Sequence, residues 1–123
     1  MKKPQSYDIN LDVKYEPLKV IDIPGLVARC KKKWYNQTLS RINDCVVRLG
    51  ILHGKFHWHK HDREDELFFV LQGRLFIDLE HKTVTLNKHH GFMVPKGISH
   101  RTRASKKTVI LMVEAASVKP VGD

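Results

Sequence analysis

Short stretches of alternating or continuous apolar residues fill the chain from Asn43 onward, and most of them end at glycine, proline or polar turn residues. The stretch 45–52 is rich in β-branched and aliphatic residues, which is typical of a strand. Residues 66–71 and 74–79 flank a Gln-Gly pair that predicts a hairpin turn. Further strands are expected at 82–86, 92–94, 99–103 and 108–114. With no convincing helix in this region, the pattern predicts an all-β sandwich or barrel.

The first third of the chain is less regular. Ile9, Leu11 and Val13 alternate loosely, a pattern that fits an edge strand or an arm. An Asp-Ile-Pro-Gly run at 22–25 indicates a turn. The stretch 26–34 is ambiguous, and a short helical turn is one interpretation of it.

The composition favours a single globular domain. The length of 123 residues is typical of one domain, and 41% hydrophobic residues are too many for a disordered chain. No apolar run approaches the roughly 20 residues of a membrane-spanning helix, and no signal peptide is expected at the start. Cys30 and Cys45 lack a Cys-x-x-Cys spacing, so we expect reduced thiols in a cytoplasmic protein.

The net charge of +9, from 22 basic and 13 acidic residues, prompts a nucleic-acid interpretation. The distribution argues against it, because the only basic runs beyond the N-terminus are 31–33 and 106–107. No helix carries a basic stripe and no aromatic RNA-binding signature is present, so we do not expect nucleic acid as a partner. Solvated lysines are the preferred interpretation, and a positive field that attracts an anionic small molecule stays open.

Three histidines and a glutamate have the spacing of metal ligands. His59 and His61 are two residues apart in an alternating stretch, so both fall on one face of the expected strand. Glu66 opens the next strand after a short polar loop, and an antiparallel return brings it beside them. His100 follows a Pro-Lys-Gly turn. Three imidazoles and a carboxylate suit one divalent ion of iron, manganese, nickel, zinc or copper.

These residues resemble the motifs of the small single-domain cupins. The first cupin motif contains His-x-His, three or four residues, Glu, six residues and Gly, and the run from His59 through Glu66 to Gly73 fits it. The second contains Pro-x-Gly-x-x-His, which Pro95 to His100 fits. The departures lie at turns and strand ends: Gly54 stands one residue too close to His59, Gly91 two residues too close to Pro95, and Ala104 replaces an asparagine.

The resemblance implies a double-stranded β-helix, a jelly-roll barrel with its metal near one mouth. It covers about residues 43–115, which we expect to form the barrel. Residues 1–42 would then form an N-terminal arm and lead-in segment that packs on the barrel, and 116–123 a C-terminal tail. Cupins usually form homodimers, often with the N-terminal segment crossing to the partner, so a homodimer is expected.

Strand parity predicts the neighbours of the metal. Because alternate residues of a strand share a face, Phe68 and Val70 should face inward with Glu66. By the same rule, Ile98 and Thr102 should face inward with His100. Arg48 lies among apolar residues, where it would pair with a carboxylate, reach solvent or hold a substrate anion in the pocket. His57 shares the face of the ligands by parity, although a solvent-exposed strand end is the preferred interpretation. The expected pocket residues are Arg48, His57, Phe68, Val70, Ile98 and Thr102.

Four protein ligands leave two open positions on an octahedral ion. These positions favour a metal-dependent enzyme that acts on a small oxygen-rich molecule, as an isomerase, cyclase, lyase or dioxygenase. The alternative is a non-catalytic module that binds a metal or a small ligand. The fold does not select among these functions.

Overall fold

A long strand of 16 residues at His100–Ala115 connects the parts of the sheet. The structure, a computed structural model, describes residues 6–123. The elements it describes are β1 (Asp8–Asn10), α1 (Ile23–Arg29), β2 (Trp34–Ile42), β3 (Cys45–Lys55), β4 (Glu66–Gln72), β5 (Leu75–Leu79), β6 (Thr83–Leu86), β7 (Gly91–Val94) and β8 (His100–Ala115). Strand β8 pairs antiparallel with β3, β4 and β5. The prediction of an all-β, jelly-roll fold is confirmed.

Two hydrophobic clusters lie on opposite sides of β2 and β3. The main cluster takes side chains from every strand between β2 and β8, among them Trp34, Phe68 and Ile110. The second cluster packs Leu26 of α1 against Leu39 and neighbouring residues of β2, β3 and β8. The helix therefore covers the outer face of the sheet, and the main cluster fills the interior of the fold.

The N-terminal third contributes more regular structure than its sequence pattern indicates. Strand β1 pairs parallel with β2. Of the two alternatives for this stretch, an edge strand is therefore present at Ile9, but it ends before Leu11 and Val13. Helix α1 begins after Asp22, whose side chain accepts a hydrogen bond from the Gly25 backbone N–H at 3.0 Å, and Pro24 occupies its first turn. Strand β2 pairs with β3 over nearly its whole length. This strand was not predicted because its polar residues interrupt the hydrophobic pattern, although Gln37 and Thr38 are buried.

The segment after β3 contains one extra residue relative to β8. The Phe56 backbone N–H donates to the carbonyl of Thr102 at 2.9 Å, and His59 forms an isolated bridge with His100. From Phe56 to His59 the chain advances by three residues, whereas the paired part of β8 advances by only two, from Thr102 to His100. This extra residue makes the segment a β-bulge. Phe56, His59 and His61 consequently all face inward, whereas His57 is exposed. Strict alternation is therefore not kept over 56–61, and His57 is exposed to solvent, as its preferred interpretation has it.

Two further observations concern the cysteines and the helix. Cys30 and Cys45 are free cysteines, the second of them exposed. Among residues 6–123, no helix is long and apolar enough to cross a membrane.

Candidate metal centre

Four side chains from three parts of the fold converge at one point. His59 and His61 come from the segment between β3 and β4, Glu66 opens β4, and His100 opens β8. One ligand atom from each lies within 4.8 Å of the other three. Glu66 Oε1 is 3.5 Å from His61 Nε2 and 3.3 Å from His100 Nε2. The structure thus brings together all four residues that the sequence motif indicates.

Backbone carbonyls set the orientation of two of the imidazoles. His59 Nδ1 lies 3.0 Å from the carbonyl oxygen of His57, and His100 Nδ1 lies 2.9 Å from that of Ile98. Because a carbonyl only accepts, each Nδ1 carries the proton and donates it. The Nε2 lone pair of each ring is therefore left for a metal, which is the usual arrangement of histidine ligands.

The donor atoms at this point lack protein partners. Both ring nitrogens of His61, Nε2 of His100 and Oε1 of Glu66 are buried without a hydrogen bond of acceptable geometry. Buried polar atoms are rarely left so, and each one raises the free energy of the folded state. Nitrogen and oxygen ligands bound at about 2.1 Å to one ion lie about 3–4.3 Å apart, so small side-chain movements would seat a divalent metal. The residues fit a metal ion.

Burial and the contacts among the candidate ligands shift the pKa of three of them. Burial lowers the pKa of His59 to about 4, so this imidazole is neutral at neutral pH. Burial opposes protonation of His61 as well, but its contact with Glu66 outweighs that and raises its pKa. Burial would raise the pKa of Glu66, whereas contacts with neighbours such as Glu114 and His100 lower it. Glu66 is therefore a carboxylate beside the neutral imidazole of His59.

Glu114 is a part of the site that sequence reasoning missed. Its position on β8 lies directly opposite Glu66, and it is 3% exposed. Burial and the adjacent charge of Glu66 raise the pKa of Glu114 to about 10. The two carboxyl groups consequently carry one negative charge between them. A glutamate at an inward position of an otherwise apolar strand is the sequence signal that could have identified it.

Arg48 balances that charge. Its Nη1 lies 2.9 Å from Glu114 Oε1, and its Nε donates to Thr38 Oγ1 at 3.1 Å. The sequence left three alternatives open for Arg48, and in the structure it pairs with the carboxyl group of Glu114. Both partners are buried, and Glu114 lines the same cavity as Glu66, so the pair lies directly beside that carboxylate.

A small cavity of about 20 Å³ adjoins the metal ligands. His59 and Glu66 line it together with Phe68 and Thr102, two of the residues that parity placed there. Trp34, Asn36, Met112 and Pro120 also line it and were not anticipated. The space corresponds to roughly one water-sized group beside the ligands.

The other expected pocket residues lie elsewhere. Val70 is fully buried in the main core, farther along β4 than Phe68. Ile98 is 43% exposed and lines a surface groove, because it precedes β8 in a turn where strand parity does not apply. His57 is exposed, and its Nε2 donates to the carbonyl of Val121 at 2.6 Å.

The C-terminal segment packs against His59 and contributes to the cavity. The backbone of Asp123 donates to the Lys60 carbonyl at 3.0 Å. Gly122 packs so closely on the His59 ring that a Cβ at this position, where φ is +96°, would lie 2.5 Å from His59 Cβ. Only glycine fits this backbone conformation and this contact without strain. The segment therefore packs against His59, and Pro120 forms part of the cavity wall.

In a second cluster of potential ligands, both carboxylates already accept hydrogen bonds. His61, Glu64 and Asp123 also bring ligand atoms within 4.8 Å of one another. Glu64 accepts a hydrogen bond from Ser117 Oγ at 2.7 Å, and Asp123 accepts one from the Asp62 backbone N–H at 2.6 Å. These carboxylates lie near the surface, where acidic groups are common without a metal.

Comparison with known proteins identifies the class. The cupin-domain family model matches residues 49–114 of this chain. The uncharacterised protein YdbB of Bacillus subtilis is 38% identical over 104 residues, which cover 84% of this chain and 92% of YdbB. The chain belongs to the cupin-domain family.

Solved structures agree with this assignment. A cupin-2 domain protein from Shewanella frigidimarina superposes with a TM-score of 0.74 at 28% identity, over 78% of this chain and 94% of that one. Protein NMB1881 from Neisseria meningitidis has a TM-score of 0.69 at 24% identity, over 79% and 99% of the two chains. The second likeness bears on the fold alone.

The buried ion pair generates a stability prediction. Arg48→Met should lower the free energy of unfolding by about 3–5 kcal/mol, because it leaves two buried carboxyl groups without their cation. Urea denaturation measures the loss. The matched control is Arg41→Met, since Arg41 is exposed and its Nε bonds only the Asn43 carbonyl. Arg48→Met combined with Glu114→Leu should recover much of the stability. Equal effects of Arg48→Met and Arg41→Met would contradict this account.

Proposed function

We propose that this cupin binds one divalent metal ion through His59, His61, Glu66 and His100. The observation that carries the proposal is the convergence of buried nitrogen and oxygen donors that have no protein partner. Such a cluster costs stability unless a cation joins it. The donor set of three imidazoles and a carboxylate suits iron, manganese, nickel, zinc or copper.

We propose further that the site acts on a small oxygen-rich molecule. A bound metal with open positions would polarise a carbonyl as a Lewis acid or, if it is iron, activate dioxygen. This chain's own residues then orient the ligands and keep out water. The Arg48–Glu114 pair holds Glu66, apolar side chains such as Phe68 line the adjoining cavity, and Pro120 forms part of its wall. A non-catalytic module that binds a metal or a small ligand is the alternative.

Elemental analysis tests the metal site. The purified protein should contain close to one equivalent of a divalent metal, and His59→Ala and His100→Ala should each lose most of it, because either change removes a ligand. The matched control is His81→Ala, since this side chain is 94% exposed and lies outside the cluster. Circular dichroism checks that each variant is folded. Unchanged metal content in the folded His59→Ala and His100→Ala variants would refute the site.

Turnover separates the enzyme from the binding module. The protein is loaded in turn with Fe(II), Mn(II), Ni(II) or Zn(II) and assayed with a panel of sugars, keto acids and catechols. An enzyme should convert at least one of these compounds, and the His59→Ala variant should lose that activity. Binding of a compound without any product, in every metal form, would favour the non-catalytic alternative.

We also propose that the protein is a homodimer. Outward side chains of β4, β7 and β8 form an apolar patch, defined as Leu67, Phe69, Met93 and Val113, each 36–47% exposed. Leu67 lies beside both Met93 and Val113 in the strand registers, so the patch is continuous. A contiguous apolar patch of this kind is typical of an interface, and a second copy presents the same patch in return.

Sedimentation analysis tests the dimer. Leu67→Lys combined with Met93→Lys should give a monomer where the wild-type protein is a dimer, because charges in the patch oppose its burial. Val20→Lys is the control, since Val20 is 87% exposed and outside the patch. A monomeric wild-type protein, or a double variant that stays dimeric, would contradict the proposal.

A further inference from the structure

Two polar-tipped residues of β2 line the cavity beside the metal ligands. Trp34 and Asn36 are two positions apart on β2, so their side chains point to the same face of the strand. Both line the cavity that His59 and Glu66 also line. Trp34 is 2% exposed and Asn36 is 8% exposed, so solvent does not reach these side chains from outside.

The polar atoms of these two residues have no partner within the described part of the protein. Nε1 of Trp34 and Oδ1 of Asn36 are both buried without a hydrogen bond. The indole N–H is a donor and the amide oxygen is an acceptor, so the pair offers both halves of a hydrogen-bonding site. Buried tryptophan N–H groups usually find a partner. An unsatisfied donor and acceptor in one cavity point to a group that completes both.

We infer that Trp34 and Asn36 recognise a hydroxyl group of the molecule bound at the metal, an inference that rests on the proposed metal site. The Trp34 N–H donates to the hydroxyl oxygen, and Asn36 Oδ1 accepts the hydroxyl proton. A hydroxyl group is both acceptor and donor, and it matches the space of about 20 Å³.

The cavity lining also defines the class of molecule. Among the described residues that line it, none is a lysine or an arginine, so a phosphate or a second carboxylate has no cation to meet there. The nearest arginine, Arg48, is engaged with Glu114. The class is therefore a small metal-chelating molecule that carries at least one additional uncharged hydroxyl, as polyhydroxy acids do.

A matched pair of probes tests this recognition. Lactate and glycerate share an α-hydroxy acid chelating group and differ by one further hydroxyl. Isothermal titration of the Zn(II)-loaded protein should show glycerate binding about tenfold more tightly than lactate, because a site built for a hydroxyl rejects the analogue that lacks it. Trp34→Phe and Asn36→Val should each bring the ratio of the two affinities near one without loss of zinc.

The control for Trp34→Phe is Trp58→Phe, which removes the same N–H from an indole that is 45% exposed and outside the cavity. It should leave the ratio unchanged. A zinc-loaded wild-type protein that binds the two probes equally, or binds neither, would overturn the inference and leave the metal site standing. A wild-type protein that takes up no metal would instead refute the proposed function, and the inference with it.

Thermal denaturation without any probe gives an independent readout. If Asn36 serves ligand recognition, its buried amide is a cost to the free protein, and Asn36→Val should leave Tm unchanged or raise it. Valine also suits a strand position. A fall in Tm by several degrees would show a structural role for the amide and overturn the inference for Asn36.

Discussion

The site depends on a short backbone bridge between His59 and His100. Each residue's N–H donates to the carbonyl of the other at 2.9 Å, which places two of the four candidate ligands side by side on neighbouring segments. The extra residue upstream of His59 turns Phe56 and the ligand histidines toward the same interior. Glu66 then needs only to open the next strand to complete the cluster. One local pairing therefore fixes both the position of the ligands and the shape of the adjoining cavity.

Charge balance is the second requirement, because this interior contains two carboxyl groups. Glu66 and Glu114 lie directly opposite each other on β4 and β8, and Arg48 of β3 bonds to Glu114. A buried ion pair contributes little net stability by itself, but removal of one partner exposes the full cost of the remaining charge. The arrangement holds Glu66 ionised and oriented toward the imidazoles. A stable fold and a charged ligand set are thus maintained by the same three residues.

The sequence predicted the parts of the site that lie close together in the chain. The i, i+2 spacing of His59 and His61 and the turn before His100 indicate local geometry directly, and the all-β class follows from the pattern after residue 43. The rest depends on contacts between distant segments. Strand β2 was not predicted because its polar side chains interrupt the hydrophobic pattern and are buried only through tertiary contacts. The bulge after Phe56 depends on the register with β8, and the role of Glu114 depends on its pairing with a residue 48 positions earlier in the chain. Strand parity therefore gave Phe68 and Thr102 as cavity residues but failed at His57 and Ile98.

The most direct test of this account is anomalous diffraction from crystals of the metal-loaded protein, recorded at the absorption edge of the bound metal. The account predicts one strong peak within about 2.3 Å of Nε2 of His59 and His100, a ring nitrogen of His61 and a carboxylate oxygen of Glu66. A peak held instead by Glu64 and Asp123 at the surface, or no peak among the four side chains, would contradict it.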